Sequence, residues 1–130
     1  MNFELLLEEK QHVFINQYIG MLSTIQEALV YLEPCFNDLA KAEADFILSE
    51  ILLSLEQIAK GNTLLKKIFN EQEGIQAALD QFNDMTEFMW MIDDHQGDRT
   101  SIQSVLQELL PVFSKWKVTV ESEFIPYLTH

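Results

Sequence analysis

Few residues in this chain have the types and spacing that chemistry requires. Its 130 residues include three histidines, one cysteine and 21 acids, against eight lysines and arginines. Glu9-Lys10-Gln11-His12 supplies one Glu-x-x-His spacing. Two such spacings, on two helices, with further inward glutamates, would hold a carboxylate-bridged metal pair in a helical bundle. A second cannot be assembled, because Ile92 stands three residues before His95 and His130 is terminal. His12 also falls just off the apolar line of Leu7 and Phe14, which makes it a helix-surface histidine. Asp93, Asp94, His95 and Asp98 gather ligand types in one loop. A calcium loop needs a Glu six residues after its central glycine, and Gln103 stands six after Gly97. That loop reads as solvated acid.

Asp80 and Asp84 lie four apart, with Glu87 a turn further on. On one helix they would line one flank, as magnesium ligands do in helical nucleotide pyrophosphatases. No matching acidic set with Glu-x-x-Glu spacing appears elsewhere, and lysines to grip phosphate are scarce. Neither His12 nor His95 is followed by the Lys-Gly pair common beside a phosphotransfer histidine. Cys35 follows Pro34 between Glu33 and Asp38, a setting that works against a thiolate. There is no Gly-rich phosphate loop and no Gly-x-Ser-x-Gly elbow. The expectation is a chain without catalytic residues, metal or cofactor.

What remains is surface. No basic residue lies between Lys67 and Arg99, whereas Glu71, Glu73, Asp80, Asp84, Glu87, Asp93, Asp94 and Asp98 do, 8 of the 21 acids. Unneutralised charge of this kind steers a basic partner, although a merely solvated face would look the same. Inside the run stands Phe88-Met89-Trp90-Met91. With the core stripe centred near Phe82 and Met89, Phe88 and Trp90 fall about 100° to either side and Met91 nearly opposite. Four large apolar residues in succession cannot all enter one face of a bundle. Three outcomes stay open: burial all round, a self-association surface, or a surface for another protein. Aromatic and Met side chains suit the last two.

The elements that must position these residues are helices. Four glycines and three prolines punctuate the chain, no Asn-Gly or Asp-Gly turn occurs, and no alternation lasts long enough for a strand. Leu7, Phe14, Tyr18, Met21, Ile25, Ala28 and Leu32 recur at helical spacing, with Ile15, Leu22 and Leu29 on one flank. This predicts a first helix capped by Asn2, with Glu4 in its first turn, and ended by Pro34. About 30 residues make a rod of roughly 45 Å. The second helix is expected over about Asp38 to Lys60, with Gly61 as its stop, or onward to about residue 70. Leu39, Ala42, Phe46 and Leu53, with Leu48, Leu52, Leu55, Ala59, Ile47, Ile51 and Ile58, surround most of it. Such a helix reads as central in the fold.

A third helix opens at the Asn70/Glu73 capping-box spacing and carries Ile75, Ala78, Leu79, Phe82, Met85, Met89 and Ile92 on one face. After the loop Asp93–Arg99, Thr100 and Gln103 form a second box and start the last helix. Its stripe is Ile102, Val105, Leu106, Leu109, Phe113, Trp116, Val120, Phe124 and Tyr127, with a kink or break expected near Leu109–Leu110 because of Pro111. The fold expected is all-α: an up-down-up-down four-helix bundle with a long first helix and a kinked or broken last one. It forms one domain over residues 1–130, of ordinary single-domain size.

Composition bounds the function. The formal charge of −13 repels nucleic acid and anionic membranes at long range. No apolar run reaches the roughly 18 residues of a spanning helix, and Met1-Asn2-Phe3-Glu4 lacks the basic start of a signal peptide. One cysteine excludes an internal disulfide and fits a reducing compartment, hence the cytoplasm. The function expected is protein–protein interaction, as an adaptor, regulator or chaperone-like binder. Its partner would be another protein or a second copy in a homodimer, without nucleic acid, membrane or cofactor. Phe88, Trp90 and Met91 are the expected anchors, with Asp84 and Glu87 setting orientation. The alternative is a divalent-metal-dependent hydrolase using Asp80, Asp84 and Glu87.

Overall fold

The computed structural model of the protein describes residues 6–128. Asn2 and Glu4, the expected cap and first-turn acid, lie outside the described residues. Those described are all-helical: α1 (Glu9–Cys35), α2 (Lys41–Ile68), α3 (Glu73–Asp80), α4 (Asn83–Asp94) and α5 (Arg99–Phe124), with a 3₁₀ turn at Ile125–Tyr127. No strand occurs among them.

α1 begins at Glu8, whose carboxylate accepts from the Gln11 backbone N–H while the Gln11 side chain accepts from the Glu8 N–H, a reciprocal box. Pro34 sits inside its last turn rather than ending it. The buried stripe is Ile15, Tyr18, Leu22, Ile25, Leu29 and Leu32, so the sequence-derived centre is rotated by about one residue. Phe14, Met21 and Ala28 are only partly buried.

α2 takes the longer of its two expected forms and runs through Gly61 to Ile68. It is not the central helix. Ala44, Leu48, Ile51, Leu55, Ile58 and Leu65 are buried, yet Phe46 and Leu53 stand in solvent. The centre is α5, which packs against α1, α3 and α4 and carries the final 3₁₀ turn. α2 packs against α1 and, at its C-terminal end, against α3. There the Gln76 amide donates to the carbonyls of Lys66 (2.9 Å) and Phe69 (2.8 Å).

The expected third helix is two helices, and Trp116 supplies the reason. In an unbroken helix the Phe82 N–H would bond the Ala78 carbonyl. That carbonyl instead accepts from Trp116 Nε1 at 2.8 Å, and the Phe82 N–H bonds Leu79 O at 3.1 Å. Asp84 and Met85 likewise bond three residues back, to Gln81 and Phe82. The tight turn still keeps Ile75, Ala78, Leu79, Phe82, Met85 and Ile92 buried as one face. α3 starts after Gln72 without a side-chain cap, so Asn70 is not the N-cap.

α4 extends to Asp94, which shortens the acidic loop to His95–Asp98, with Gly97 at φ 89°. Asp98, not Thr100, caps α5: its carboxylate accepts from the Ser101 N–H (3.2 Å) and hydroxyl (2.8 Å). These bonds, the hydroxyl's first, hold the Asp98 carboxyl below the ordinary aspartate range. α5 then continues through Pro111 without a break. Pro111 and Gln107, the residue whose carbonyl loses its N–H partner, are both exposed, so the lost bond falls on the solvent side.

The helices are tied at both ends. The Arg99 guanidinium donates to the carbonyls of Phe36 and Leu39 (the latter 2.9 Å) and lies 5.4 Å over the Phe36 ring, joining the α1–α2 turn to α5. At the opposite end Phe69 meets Phe124 and Tyr127 edge-on.

Candidate interaction surface

α4 divides the Phe88–Met91 cluster. Met85 and Ile92 are buried, Phe88 and Met89 are partly buried against the core, Met91 is 39% exposed and Trp90 is 74% exposed. The core stripe of α4 is therefore Met85, Phe88, Met89 and Ile92, on the side of the helix opposite a solvent face holding Trp90 and Met91. Thr86, Glu87, Trp90, Met91 and Asp94 line a shallow groove of about 500 Å³ on that face. Asp84 and Glu87 are both exposed, spaced to lie along the same side as Met91 and Asp94. Of the five expected site residues, the structure brings Trp90, Met91 and Glu87 together at one groove. Asp84 stands one turn before it, and Phe88 is turned largely inward.

The charge on this face is one-sided. α4 carries Asp84, Glu87, Asp93 and Asp94 and no basic residue. Among the described residues none of the four is in an ion pair. Asp80, on α3, differs: it pairs with Lys66 of α2. The break at Gln81–Phe82 thus puts Asp80 on one helix and Asp84 and Glu87 on another, correcting the single flank that a magnesium site would use. Among the described residues no group of three or more His, Cys, Asp or Glu side chains could hold a metal ion.

The other chemically suggestive residues are structural. His12 Nδ1–H donates to the Tyr127 carbonyl at 2.9 Å and pins α1 to the C-terminal turn. The Cys35 thiol donates to the Tyr31 carbonyl at 3.0 Å. In the interior, the Tyr18 hydroxyl donates to Asn62 Oδ1, and burial pushes the Tyr18 phenol far above its ordinary range. Asn62 is 6% exposed, and its Nδ2 has no hydrogen-bond partner among the described residues.

Residues 13–119, from the first turns of α1 to late α5, match the family described as a domain of unknown function, DUF8042. The chain belongs to that family. No curated protein and no solved structure matches it. No helix among the described residues is long and apolar enough to cross a membrane.

Sequence periodicity missed one feature of the surface. Phe46, Leu53 and Leu64 of α2 are 64%, 54% and 45% exposed, although the first two fall on a stripe that reads as core. No signal in the sequence says which of three overlapping stripes lacks a neighbour; only the placement of α3 and α4 on α5 decides it.

Proposed function

We propose that this chain is a non-enzymatic protein–protein interaction module of the cytoplasm, a small acidic adaptor, regulator or chaperone-like binder. Its α4 face takes a basic segment of another protein. One observation carries the reading: Trp90, 74% exposed, stands with Met91 in a groove edged by carboxylates that make no ion pair among the described residues. An indole offers about 150–250 Å² for burial, at roughly 25 cal/mol per Å². The four acids of α4 would steer a cationic partner and repel an acidic one, a second copy of this face included. The scaffold we infer is an up-down-up-down bundle, with α1, α2, the α3–α4 pair and α5 as its four legs. The contacts at both ends, Arg99 with the α1–α2 turn and Phe69 with Phe124, support that order.

The test is capture from a lysate on immobilised wild type, Trp90→Ala and Met91→Lys, followed by binding measurements with each captured protein purified. A basic protein held by wild type and lost from both variants, with their melting temperatures unchanged, is the expected result. Equal retention by all three, or capture of nothing basic, overturns the reading.

A further inference from the structure

The outer face of α2 presents a self-complementary line. Taken at alternating steps of three and four, it reads Glu43, Phe46, Glu50, Leu53, Gln57, Lys60, Leu64 and Lys67, and all eight residues are exposed. This is a heptad seam on a helix face with no neighbour among the described residues. Both acids stand in its N-terminal half and both lysines in its C-terminal half. Laying the helix antiparallel on a second copy, with Leu53 opposite Gln57, gives one register. Glu43 then meets the second copy's Lys67, Phe46 its Leu64, and Glu50 its Lys60. Symmetry repeats each contact, so four acid–base pairs and two Phe–Leu pairs form along about 36 Å of helix.

We propose that the α2 face is a homodimer seam in this antiparallel register, with a second copy of this chain as its occupant. Two further observations favour that occupant. Although the chain carries −13 overall, α2 holds four lysines (41, 60, 66 and 67) against four acids (43, 45, 50 and 56), so the two faces that meet there do not repel each other. Beside Leu64, the α1–α2 groove opens about 280 Å³ lined by Phe14, Met21 and Gly61, where the second copy's Phe46 would land. Gly61 keeps it open: a Cβ there would come within 3.3 Å of the Tyr18 ring and 3.6 Å of Phe14. Charges at seam positions fix register at a cost in affinity, so the seam is specific rather than tight. It uses a different face from Trp90 and stands or falls separately from the α4 reading.

Acids early and lysines late on a helix also suit its dipole, so the test reads association, not stability. Full-length wild type, Glu43→Lys/Glu50→Lys and Lys60→Glu/Lys67→Glu are sedimented singly up to about 100 μM, and the two variants are also mixed. Wild type should dimerise, and each variant alone should associate at least about tenfold more weakly. The equimolar mixture, which restores every opposite-charge pair, should recover the dimer, with helical circular dichroism unchanged throughout. Phe46→Ala, which alters no charge, should weaken wild-type dimerisation too. A wild type that stays monomeric over the range, charge variants that dimerise like wild type, or a mixture no more associated than its parts would each overturn the seam.

Discussion

The outer faces of α2 and α4 both leave large apolar side chains in water, but on opposite electrical grounds. On α4, Trp90 and Met91 lie among four acids without a cation; on α2, Phe46, Leu53 and Leu64 lie on a helix whose charges cancel. Exposed apolar area supplies affinity for almost any partner, so the surrounding charge decides which partner it is. The partner proposed for α4 is therefore a cationic surface rather than its own copy, and the partner proposed for α2 is a second copy.

That contrast can be broken, and the largest effect comes from showing that the α4 face is free of any packing duty. Trp116 is buried between Phe82 and Phe113 and bonds Ala78, so Trp116→Ala should cost about 3–5 kcal/mol in urea unfolding. Trp90→Ala should stay within about 0.5 kcal/mol. A comparable loss at Trp90 would mean that the α4 face is packed rather than presented.

The same division applies across α2, between its inner and outer sides. Asn62→Leu strands the buried Tyr18 hydroxyl and should cost about 1–3 kcal/mol, most of it recovered by adding Tyr18→Phe. Leu53→Ser, on the outside, should leave monomer stability within about 0.5 kcal/mol. Calorimetry of the three variants at low concentration checks both sides at once.

Salt separates the two faces further. Shortening the Debye length from about 10 Å to about 3 Å should weaken partner binding at α4 about tenfold. Dimerisation at α2 should weaken less, because screening of its acid–base pairs is offset by screening of the repulsion between two chains of −13. If both associations fall together on titration at the two ionic strengths, the distinction between the faces is lost.

The smallest effect concerns Asp98, the acid of the run that caps α5. Its carboxyl is held below the ordinary aspartate range by the Ser101 hydroxyl and N–H. Its contribution is therefore complete above the ordinary aspartate pKa and lost as pH falls through the depressed one. Asp98→Ala should melt below wild type at neutral pH, and the two should converge in acid.

Much of this was legible in the sequence. Helical periodicity yields every long helix and, within a residue of rotation, the buried faces of α1, α3–α4 and α5. Local side chains also yield the acidic run and the Phe88–Met91 cluster, because both are contiguous. Capping is less legible, since several polar residues compete within one turn: Gln72 stands at the start of α3 where Asn70 looked better, and Asp98 bonds Ser101 ahead of Thr100. Proline breaks neither helix: α1 runs one residue past Pro34, and α5 runs unbroken through Pro111, where the lost hydrogen bond falls on the solvent side of a helix held by its other face.

The sequence by itself determined that this chain folds as amphipathic helices, that its charge is acidic, and where its large apolar residues cluster, because each follows from neighbours three or four apart. Tertiary structure alone decided where the third helix breaks, since the Ala78 carbonyl is claimed by a tryptophan 38 residues away. It alone also decided which stripe of α2 meets solvent and which side of α4 keeps its tryptophan. A helix apolar on several faces cannot state which face lacks a neighbour; that depends on where distant segments pack.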